Sequence, residues 1–290
     1  MTTAITKVVF PVAGMGTRFL PATKAIPKEM LPVADLPLIQ YAVQEAQEAG
    51  ISEFIFVTNP TNRPILESHF AVNDALESML LERGKTAELK IVTETTLPDD
   101  RIKFCYQDQP LGLGHAVWCA REFVADGPFA VILPDDLIMA NPGCLKQMVD
   151  AHTRLGGNVV AVEDVPRELT SRYGILDVDR DDGVAVSANG LVEKPAPEDA
   201  PSTLSIIGRY ILDGQVFEYL DKQMTGAGGE IQLTDAIAAT IEDVAFHGLR
   251  FEGTRFDCGS MNGFVEANVA FGLERSHHES DLRSYLKSHL

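Results

Sequence analysis

The first half of the chain alternates short apolar segments with segments of helix length, and this alternation constrains the fold more than any other feature. The apolar segments are Ile5–Phe10, Glu53–Thr58, Ile102–Gln107, Phe129–Pro134 and Asn158–Glu163. The intervening segments that favour helix are Pro37–Gly50, Asn62–Arg83, Gly114–Val124 and Gly143–Gly156. Strands that alternate with helices pair in parallel through right-handed crossovers. The sequence therefore predicts an α/β fold with a Rossmann-like, doubly wound sheet that is mostly parallel.

The second half changes character. Segments Tyr173–Asp179, Val184–Pro195 and Ser202–Leu212 predict antiparallel hairpins added to the sheet, while Glu230–Asp243 and Asn262–Arg275 predict helices. No linker, repeat or low-complexity tract divides the 290 residues. We therefore expect a single domain over residues 1–277, followed by a C-terminal arm, 278–290, that carries no motif.

Composition excludes several classes of function. The formal net charge is −18, so most of the surface would repel a polyanion, and no nucleic-acid partner is expected. No apolar run approaches the roughly 20 residues that span a bilayer, and Met1–Lys7 lacks the basic start of a signal peptide. The four cysteines have no CxxC spacing, which favours buried thiols in a reducing compartment over a zinc site. We expect a cytoplasmic protein with no membrane partner.

The stretch PVAGMGTRFLPATKAIPKEMLP follows the first predicted strand directly. Glycines at such a place let backbone N–H groups approach phosphate oxygens. A dinucleotide fingerprint would need glycine at the position of Phe19, and a Walker A loop would need Gly-Lys where Gly16 is followed by Thr17 and Arg18. Both familiar phosphate loops are therefore excluded.

Three cations accompany this glycine turn. Arg18 can grip phosphate oxygens with a fork of donors, and Lys28 is a mobile point charge. Lys24 is equally explained as a solvated charge. The loop predicts a binding site for a small phosphorylated anion.

The same loop resembles the signature of the sugar-1-phosphate nucleotidylyltransferase family, in the form of its UTP–glucose-1-phosphate uridylyltransferase branch. Further motifs follow in the family order through nearly the whole chain. They are GLGHAV (Gly112–Val117), LPDD (Leu133–Asp136), YGILD, LVEKP, GRYIL, GEIQLTDAI and DCGS (Asp257–Ser260).

The resemblance implies transfer of UMP from UTP to glucose 1-phosphate, giving UDP-glucose and pyrophosphate, with Mg²⁺ as cofactor. The sugar phosphate is already an anionic nucleophile, so a direct in-line displacement needs no covalent intermediate. Residues 1–160 would mainly bind the nucleotide and residues 161–260 the sugar phosphate. The family generally forms homodimers or homotetramers.

The resemblance also assigns the nucleotide subsite. The phosphates would lie on the loop, with Arg18 at the β and γ groups and Lys28 at the α group. The loop residues are Ala13, Gly14, Gly16 and Thr17. Gln107 would read the uracil edge while Gly112 lets the base approach the backbone. Gln109 is an equal rival on chemistry, and only the family spacing favours Gln107.

Metal and sugar ligands come from the later motifs. Asp135 follows a predicted parallel strand at its carboxyl end, where open α/β sheets bind ligands; Asp136 is adjacent, and the family pattern favours Asp135. The resemblance alone supplies Asp257 as the second metal ligand. It also implies that Gly174 and Glu193 bind the sugar, and that Lys194 is a catalytic cation that binds its phosphate.

Neighbouring residues of an extended segment point to opposite faces, so Glu193 and Lys194 can serve one ligand only if the backbone twists there. The following Pro195 makes such an irregularity reasonable. Without the resemblance, the pair would be interpreted as a surface ion pair.

Two residues depart from the family pattern. Met261 replaces a lysine and Gly229 an acid. Loss of the lysine predicts either weaker phosphate affinity or altered subunit contacts, and activity is still expected because Arg18, Lys28, Lys194 and both aspartates are present. Two alternatives to uridylyl transfer stay open, namely thymidylyl transfer from dTTP and a non-catalytic nucleotide-sugar sensor. The missing third glycine argues against an NAD-dependent oxidoreductase.

Overall fold

The computed structural model describes residues 4–124, 127–276 and 279–289. The strands of this part of the chain are β1 (Lys7–Pro11), β2 (Pro32–Val33), β3 (Leu36–Pro37), β4 (Glu53–Thr58), β5 (Ile102–Tyr106), β6 (Phe129–Ile132), β7 (Asp136–Met139), β8 (Asn158–Asp164), β9 (Gly174–Asp181), β10 (Ala185–Glu193), β11 (Leu204–Leu212), β12 (Phe246–Arg250) and β13 (Thr254–Asp257). The helices are α1 (Leu38–Glu48), α2 (Arg63–Phe70), α3 (Asp74–Glu82), α4 (Thr86–Thr95), α5 (Leu113–Cys119), α6 (Arg121–Val124), α7 (Cys144–Leu155), α8 (Val216–Leu220), α9 (Leu233–Thr240), α10 (Met261–Arg275) and α11 (Glu279–His289).

Within the described residues, nine of the strands form one sheet in the order β5-β4-β1-β6-β11-β8-β12-β10-β9. The pairs among β5, β4, β1 and β6 are parallel. From β11 onward most neighbours are antiparallel, except for the parallel pair β8 and β12. The fold is thus α/β with a sheet of both parallel and antiparallel strands, as predicted in outline. Among the described residues the sheet is not mostly parallel, because β11 enters between β6 and β8 and runs antiparallel to both.

Helices cover both faces of the sheet because its central strands are apolar on both sides. In β1, Val9 packs with α5 and α9, whereas Val8 and Phe10 pack with α1 and α7. Strand β4 alternates in the same way. Strands buried on both faces explain why the early apolar segments are continuous runs.

Helix α1 shows how the local sequence sets an element boundary. Its buried residues recur at helical spacing and face the sheet; they are Leu38, Ile39, Gln40, Ala42, Val43 and Ala46. The helix ends before Gly50, whose φ of +89° is a left-handed conformation that glycine adopts at little cost. The amide of Ile51 then donates to the carbonyl of Ala46 at 3.0 Å.

Several elements differ from the sequence prediction. The helix predicted at Gly114–Val124 is two helices, α5 and α6, because the amide of Ala120 bonds to Val117 in a tighter turn. The predicted segment Asn62–Arg83 is divided between α2 and α3, where the Asn73 side chain caps the second helix. The short strands β2, β3, β7, β12 and β13 were not predicted, since two to five residues carry too little pattern.

Of the predicted C-terminal arm, the structure describes residues 279–289, which form helix α11 beside α10. Residues 278 and 290 lie outside the described residues. No helix among the described residues is both long and apolar enough to cross a bilayer.

Candidate nucleotide and sugar-phosphate site

The glycine loop after β1 folds back on itself. Gly16 has φ of +60°, and a Cβ there would lie 3.0 Å from the Lys28 Cβ. The Thr23 hydroxyl donates to the Gly16 carbonyl at 2.8 Å. The loop is anchored by Phe19, which is buried and stands edge-on to Phe264 of α10 at 5.3 Å. The backbone at Gly16 therefore needs glycine, and Lys28 is brought beside it.

The other loop residues lie on the same turn. The Ala13 carbonyl accepts from the Asn59 side chain at 3.1 Å, and Thr17 begins a short 3₁₀ turn. A Cβ on Gly14 would meet only the Lys28 side chain, at 3.9 Å. Gly14 is exposed, so its backbone is open to a ligand.

The three loop cations have different environments. Arg18 Nη1 donates to the Gly259 carbonyl at 3.3 Å, and Lys28 Nζ donates to Asp135 Oδ2 at 2.5 Å. Lys24 is exposed at the end of another 3₁₀ turn. The structure therefore brings Arg18 to the DCGS motif and Lys28 to the LPDD motif, while Lys24 stays at the surface.

The two predicted metal aspartates lie side by side. Strand β13 pairs with β7 in a register that sets Asp257 opposite Asp136, and the Cys258 amide donates to the Asp135 carbonyl at 2.7 Å. A Cβ on Gly259 would lie 3.0 Å from Asp257 Oδ1 and 3.2 Å from Asp135 Oδ2. Both carboxylates thus face one small volume beside the Arg18 guanidinium.

Charge pairing holds Asp135 in its ionised form. Burial acts against the charge, but Lys28 and, more weakly, Arg18 outweigh it and lower the pKa of Asp135. Burial likewise acts to lower the pKa of Lys28, and Asp135 with Glu29 reverses this and raises it. Both partners are therefore charged at neutral pH.

Asp136, the alternative metal ligand to Asp135, already has a hydrogen-bond partner for each carboxylate oxygen. Its Oδ1 accepts from Arg255 at 2.5 Å, and its Oδ2 accepts from the Gly208 amide at 2.8 Å. Burial raises the pKa of Asp136. These contacts make Asp136 a structural anchor and leave Asp135 as the candidate ligand.

Glu29, next to Lys28, was not singled out from the sequence. Its side chain is fully buried, and neither carboxylate oxygen has a hydrogen-bond partner among the described residues. Lys28 Nζ is 3.7 Å away, too far for a hydrogen bond. Burial raises the pKa of Glu29 to about 7.

Gln107 and Gly112 form a second corner of the site. The Gln107 side chain donates from Nε2 to the Gly112 carbonyl at 3.0 Å. Gly112 has φ of +109°, and a Cβ there would come within 2.8 Å of both the Ile231 carbonyl and the Glu230 Cβ. The Ile231 amide donates to the Leu111 carbonyl at 2.7 Å. The GEIQLTDAI segment therefore closes directly against the predicted base pocket.

The sugar residues share one hairpin, because Glu193 at the end of β10 pairs with Gly174 at the start of β9. Lys194 has φ of +48°, so the chain turns at this residue. Its Nζ lies 3.0 Å from Glu193 Oε1, and both side chains line the same cavity. The twist that the sequence required here is confirmed.

Two supporting residues, Thr234 and Arg255, were not predicted from the sequence. The Thr234 hydroxyl donates to Glu193 Oε2 at 2.9 Å, so each oxygen of Glu193 has a partner. Arg255 bonds to Asp136 and lies with its guanidinium carbon 5.4 Å from the centre of the Tyr173 ring. The GEIQLTDAI and YGILD motifs contain Thr234 and Tyr173, but motif position alone does not reveal these contacts.

One cavity of about 440 Å³, a size typical of small-molecule sites, joins some of these groups, whereas Lys28, Gln107 and Gly112 do not line it. The predicted residues that line it are Arg18, Asp135, Gly174, Glu193, Lys194 and Asp257. They come from five separate segments of the chain.

Comparisons with known proteins show what the chain is similar to. The family model for nucleotidyl transferases matches residues 7–272. A UTP–glucose-1-phosphate uridylyltransferase of Komagataeibacter xylinus is 53% identical over 254 residues, which cover 88% of this chain and 89% of the relative. One of Bacillus subtilis is 45% identical and covers 97% and 94%.

Solved structures are similar too. A UDP-glucose pyrophosphorylase complexed with UDP-glucose has 40% identity and a TM-score of 0.83, covering 93% of this chain and all of that one. A UTP-bound enzyme of Acinetobacter baumannii has 39% identity and a TM-score of 0.88, covering 97% and 98%.

Proposed function

The chain belongs to the nucleotidyl transferase family, and on that premise we propose that it transfers UMP from UTP to glucose 1-phosphate, giving UDP-glucose and pyrophosphate. The observation that carries this is the single cavity lined by Arg18, Asp135 and Asp257 as well as by Glu193 and Lys194. One space thus offers groups for a triphosphate and a metal beside groups for a sugar phosphate. Relatives named for UTP and UDP-glucose support the same substrates.

The reaction is a direct in-line displacement at the α-phosphorus. The phosphate of glucose 1-phosphate attacks, and pyrophosphate leaves, without a covalent enzyme intermediate. The protein's task is to hold two mutually repelling anions together and to neutralise the charge that develops. Arg18 binds the departing β and γ phosphates, Lys28 meets the α-phosphate, and Lys194 holds the attacking phosphate.

The remaining predicted residues orient the substrates. Ala13, Gly14, Gly16 and Thr17 present the loop backbone to the triphosphate. Gln107 faces the uracil edge beside Gly112. Gly174 and Glu193 contact the glucose hydroxyls, since an ionised carboxylate accepts hydrogen bonds from them.

Mg²⁺ is the proposed cofactor, held by Asp135 and Asp257. Among the described residues no cluster of three acidic, histidine or cysteine side chains could enclose a metal. Two carboxylates fit Mg²⁺, which keeps waters and substrate phosphates in its shell. Bound there, the ion would polarise the phosphates and neutralise their charge.

At the level of the whole chain, we propose a Rossmann-like, doubly wound arrangement for the first half and a single domain over residues 1–277, with residues 278–290 as an arm. Residues 1–160 mainly bind the nucleotide and residues 161–260 the sugar phosphate. The four free thiols suit a cytoplasmic enzyme.

We also propose that the protein forms a homodimer or a homotetramer. On α10, Met261, Val265 and Val269 recur every four residues and are 59%, 53% and 37% exposed, which is an apolar stripe suited to a subunit contact. Light scattering of the purified protein measures the assembly, and a monomer at all concentrations would contradict this proposal.

The proposed reaction is tested by pyrophosphate release from glucose 1-phosphate and Mg²⁺ with UTP, dTTP, ATP, CTP or GTP. We expect UTP to exceed the other nucleotides and EDTA to abolish release. Lys28→Ala should lower kcat roughly 10²- to 10³-fold, whereas Lys24→Ala, a matched change at an exposed lysine of the same loop, should leave it unchanged.

Two results would revise the proposal. Preference for dTTP would indicate a thymidylyltransferase with the same mechanism. Binding of UDP-glucose without pyrophosphate release from any nucleotide would indicate a nucleotide-sugar sensor.

A further inference from the structure

The Gln107 side chain lies between two hydrogen-bond acceptors. Its Nε2 is 3.0 Å from the Gly112 carbonyl oxygen and 3.2 Å from His115 Nδ1. A carbonyl oxygen can only accept, so the amide must turn its NH₂ group toward Gly112. The second N–H of the same nitrogen then faces His115 Nδ1. Gln107 Oε1 is left as the group that a ligand can use.

His115 is held as the neutral ring that this arrangement needs. It is 9% exposed and stacks on Trp118 with ring centres 5.6 Å apart. Trp118 is itself fixed, because its Nε1 donates to Asp221 at 2.7 Å. Burial lowers the pKa of His115, and Asp108 only partly opposes this. The neutral ring carries one proton, and with that proton on Nε2 the Nδ1 atom accepts from Gln107.

We propose that His115 is a positioning residue that, as a second partner beside the Gly112 carbonyl, holds the Gln107 amide in this orientation and thereby strengthens the selection of a base with an N–H group at ring position 3 over cytosine. This inference rests on the proposed function, since it needs Gln107 to face the base. Uracil N3 carries a hydrogen that Oε1 can accept, whereas cytosine N3 carries a lone pair that Oε1 repels.

The same geometry explains why discrimination between uracil and thymine should be weak. Thymine also carries a hydrogen on N3, so an acceptor at Gln107 treats uracil and thymine alike. Specificity for UTP over CTP should therefore depend on His115, and specificity for UTP over dTTP should not.

Two variants separate the acceptor from the bulk of the ring. His115→Phe keeps a ring against Trp118 and removes the acceptor, while His115→Asn restores an acceptor near the position of Nδ1. We expect His115→Phe to raise the KM for UTP roughly tenfold, the value of about one hydrogen bond, with kcat and the KM for glucose 1-phosphate near wild type. The ratio of kcat/KM for UTP to that for CTP should fall by a similar factor, and His115→Asn should restore most of it.

A matched control is His152→Asn on α7, a buried histidine whose Nδ1 contacts the Gly157 carbonyl away from the site. It should leave the UTP to CTP ratio unchanged. An unchanged ratio in folded His115→Phe, or equal ratios for the Phe and Asn variants, would overturn the role of His115. Absence of pyrophosphate release from UTP in the wild type would overturn the proposed function instead.

The wild-type pH profile gives a second test that needs no variant. The groups that face His115 are Gln107 and Asp108 from the loop after β5, and Cys119 and Trp118 from its own helix, with Arg121 stacked on Trp118. UTP and CTP carry the same phosphates, so their kcat/KM ratio cancels phosphate titration. We expect this ratio to fall between the ordinary histidine pKa and the lower pH at which cytosine N3 itself gains a proton, and a flat ratio across that interval would contradict the proposal.

Discussion

Thr234→Val tests whether the hydroxyl that contacts Glu193 matters for sugar binding. Valine keeps the shape of threonine and the methyl group beside Gly174, where a Cβ would lie 2.8 Å from Thr234 Cγ2. It removes only the hydrogen bond of 2.9 Å to Glu193 Oε2. Because Glu193 and Thr234 are both largely buried, solvent cannot readily replace that bond.

The magnitude follows from the bonds that remain. A hydrogen bond to a charged group contributes about 1.5–3 kcal/mol, and about 1.4 kcal/mol is a tenfold change in affinity. Lys194 still holds Glu193 through Oε1 at 3.0 Å, so the lower end applies. We expect the KM for glucose 1-phosphate to rise roughly tenfold.

The assay is steady-state pyrophosphate release with each substrate varied in turn. The KM for UTP should stay within twofold of wild type, and Thr234→Ser should recover most of the affinity for glucose 1-phosphate because it keeps the hydroxyl. Normal binding of glucose 1-phosphate by the valine variant, folded as judged by its melting temperature, would contradict this role of Thr234. Equal losses of affinity for both substrates would refute it as well.

Three further predictions concern the scaffold. Gly112 has φ of +109°, and an added Cβ would lie against the Ile231 carbonyl, so Gly112→Ala should lower the free energy of unfolding by about 1–3 kcal/mol and raise the KM for UTP. An unchanged melting temperature together with an unchanged KM would contradict this close packing. Arg209→Met should lower the free energy of unfolding by about 3–5 kcal/mol, because the largely buried Glu45 loses the guanidinium that donates to it at 2.8 Å. Urea unfolding measures this loss, and an unchanged free energy would contradict it. Burial raises the pKa of Glu29 from 4.5 to about 7, so folding binds its proton more tightly and stability is lost as pH rises from the unfolded to the folded value. Glu29→Gln should therefore be more stable than wild type at pH 8 by about 3 kcal/mol and nearly equal to it at pH 4, as urea unfolding at both values would show, whereas a pH-independent difference would contradict it.

Much of the site could be predicted because local rules govern its parts. The turn after β1 needs glycine at Gly16, where φ is +60°, and the sequence places cations directly behind it. Asp135 lies just beyond the carboxyl end of β6, which is where open α/β sheets bind their ligands. The twist at Lys194 was required as soon as two neighbours had to serve one ligand.

Contacts between distant segments could not be predicted in this way. Asp257 reaches Asp135 only because β13 pairs with β7 in one register, and strands of four residues carry no pattern that specifies a partner. The choice between Asp135 and Asp136 depended on where Arg255 and the Gly208 amide bind.

Apolar periodicity, glycine and clustered cations act over a few residues, so an α/β chain with a candidate phosphate-binding loop is predictable from the sequence alone. Which polar groups already have hydrogen-bond partners within the protein becomes clear only from the folded chain. Asp136 accepts a hydrogen bond from the Gly208 amide, and Glu193 accepts one from Thr234. The Gln107 amide is oriented by the Gly112 carbonyl and His115. A buried polar group needs a hydrogen-bond partner in place of water, and that partner can belong to a distant segment that only the fold brings close.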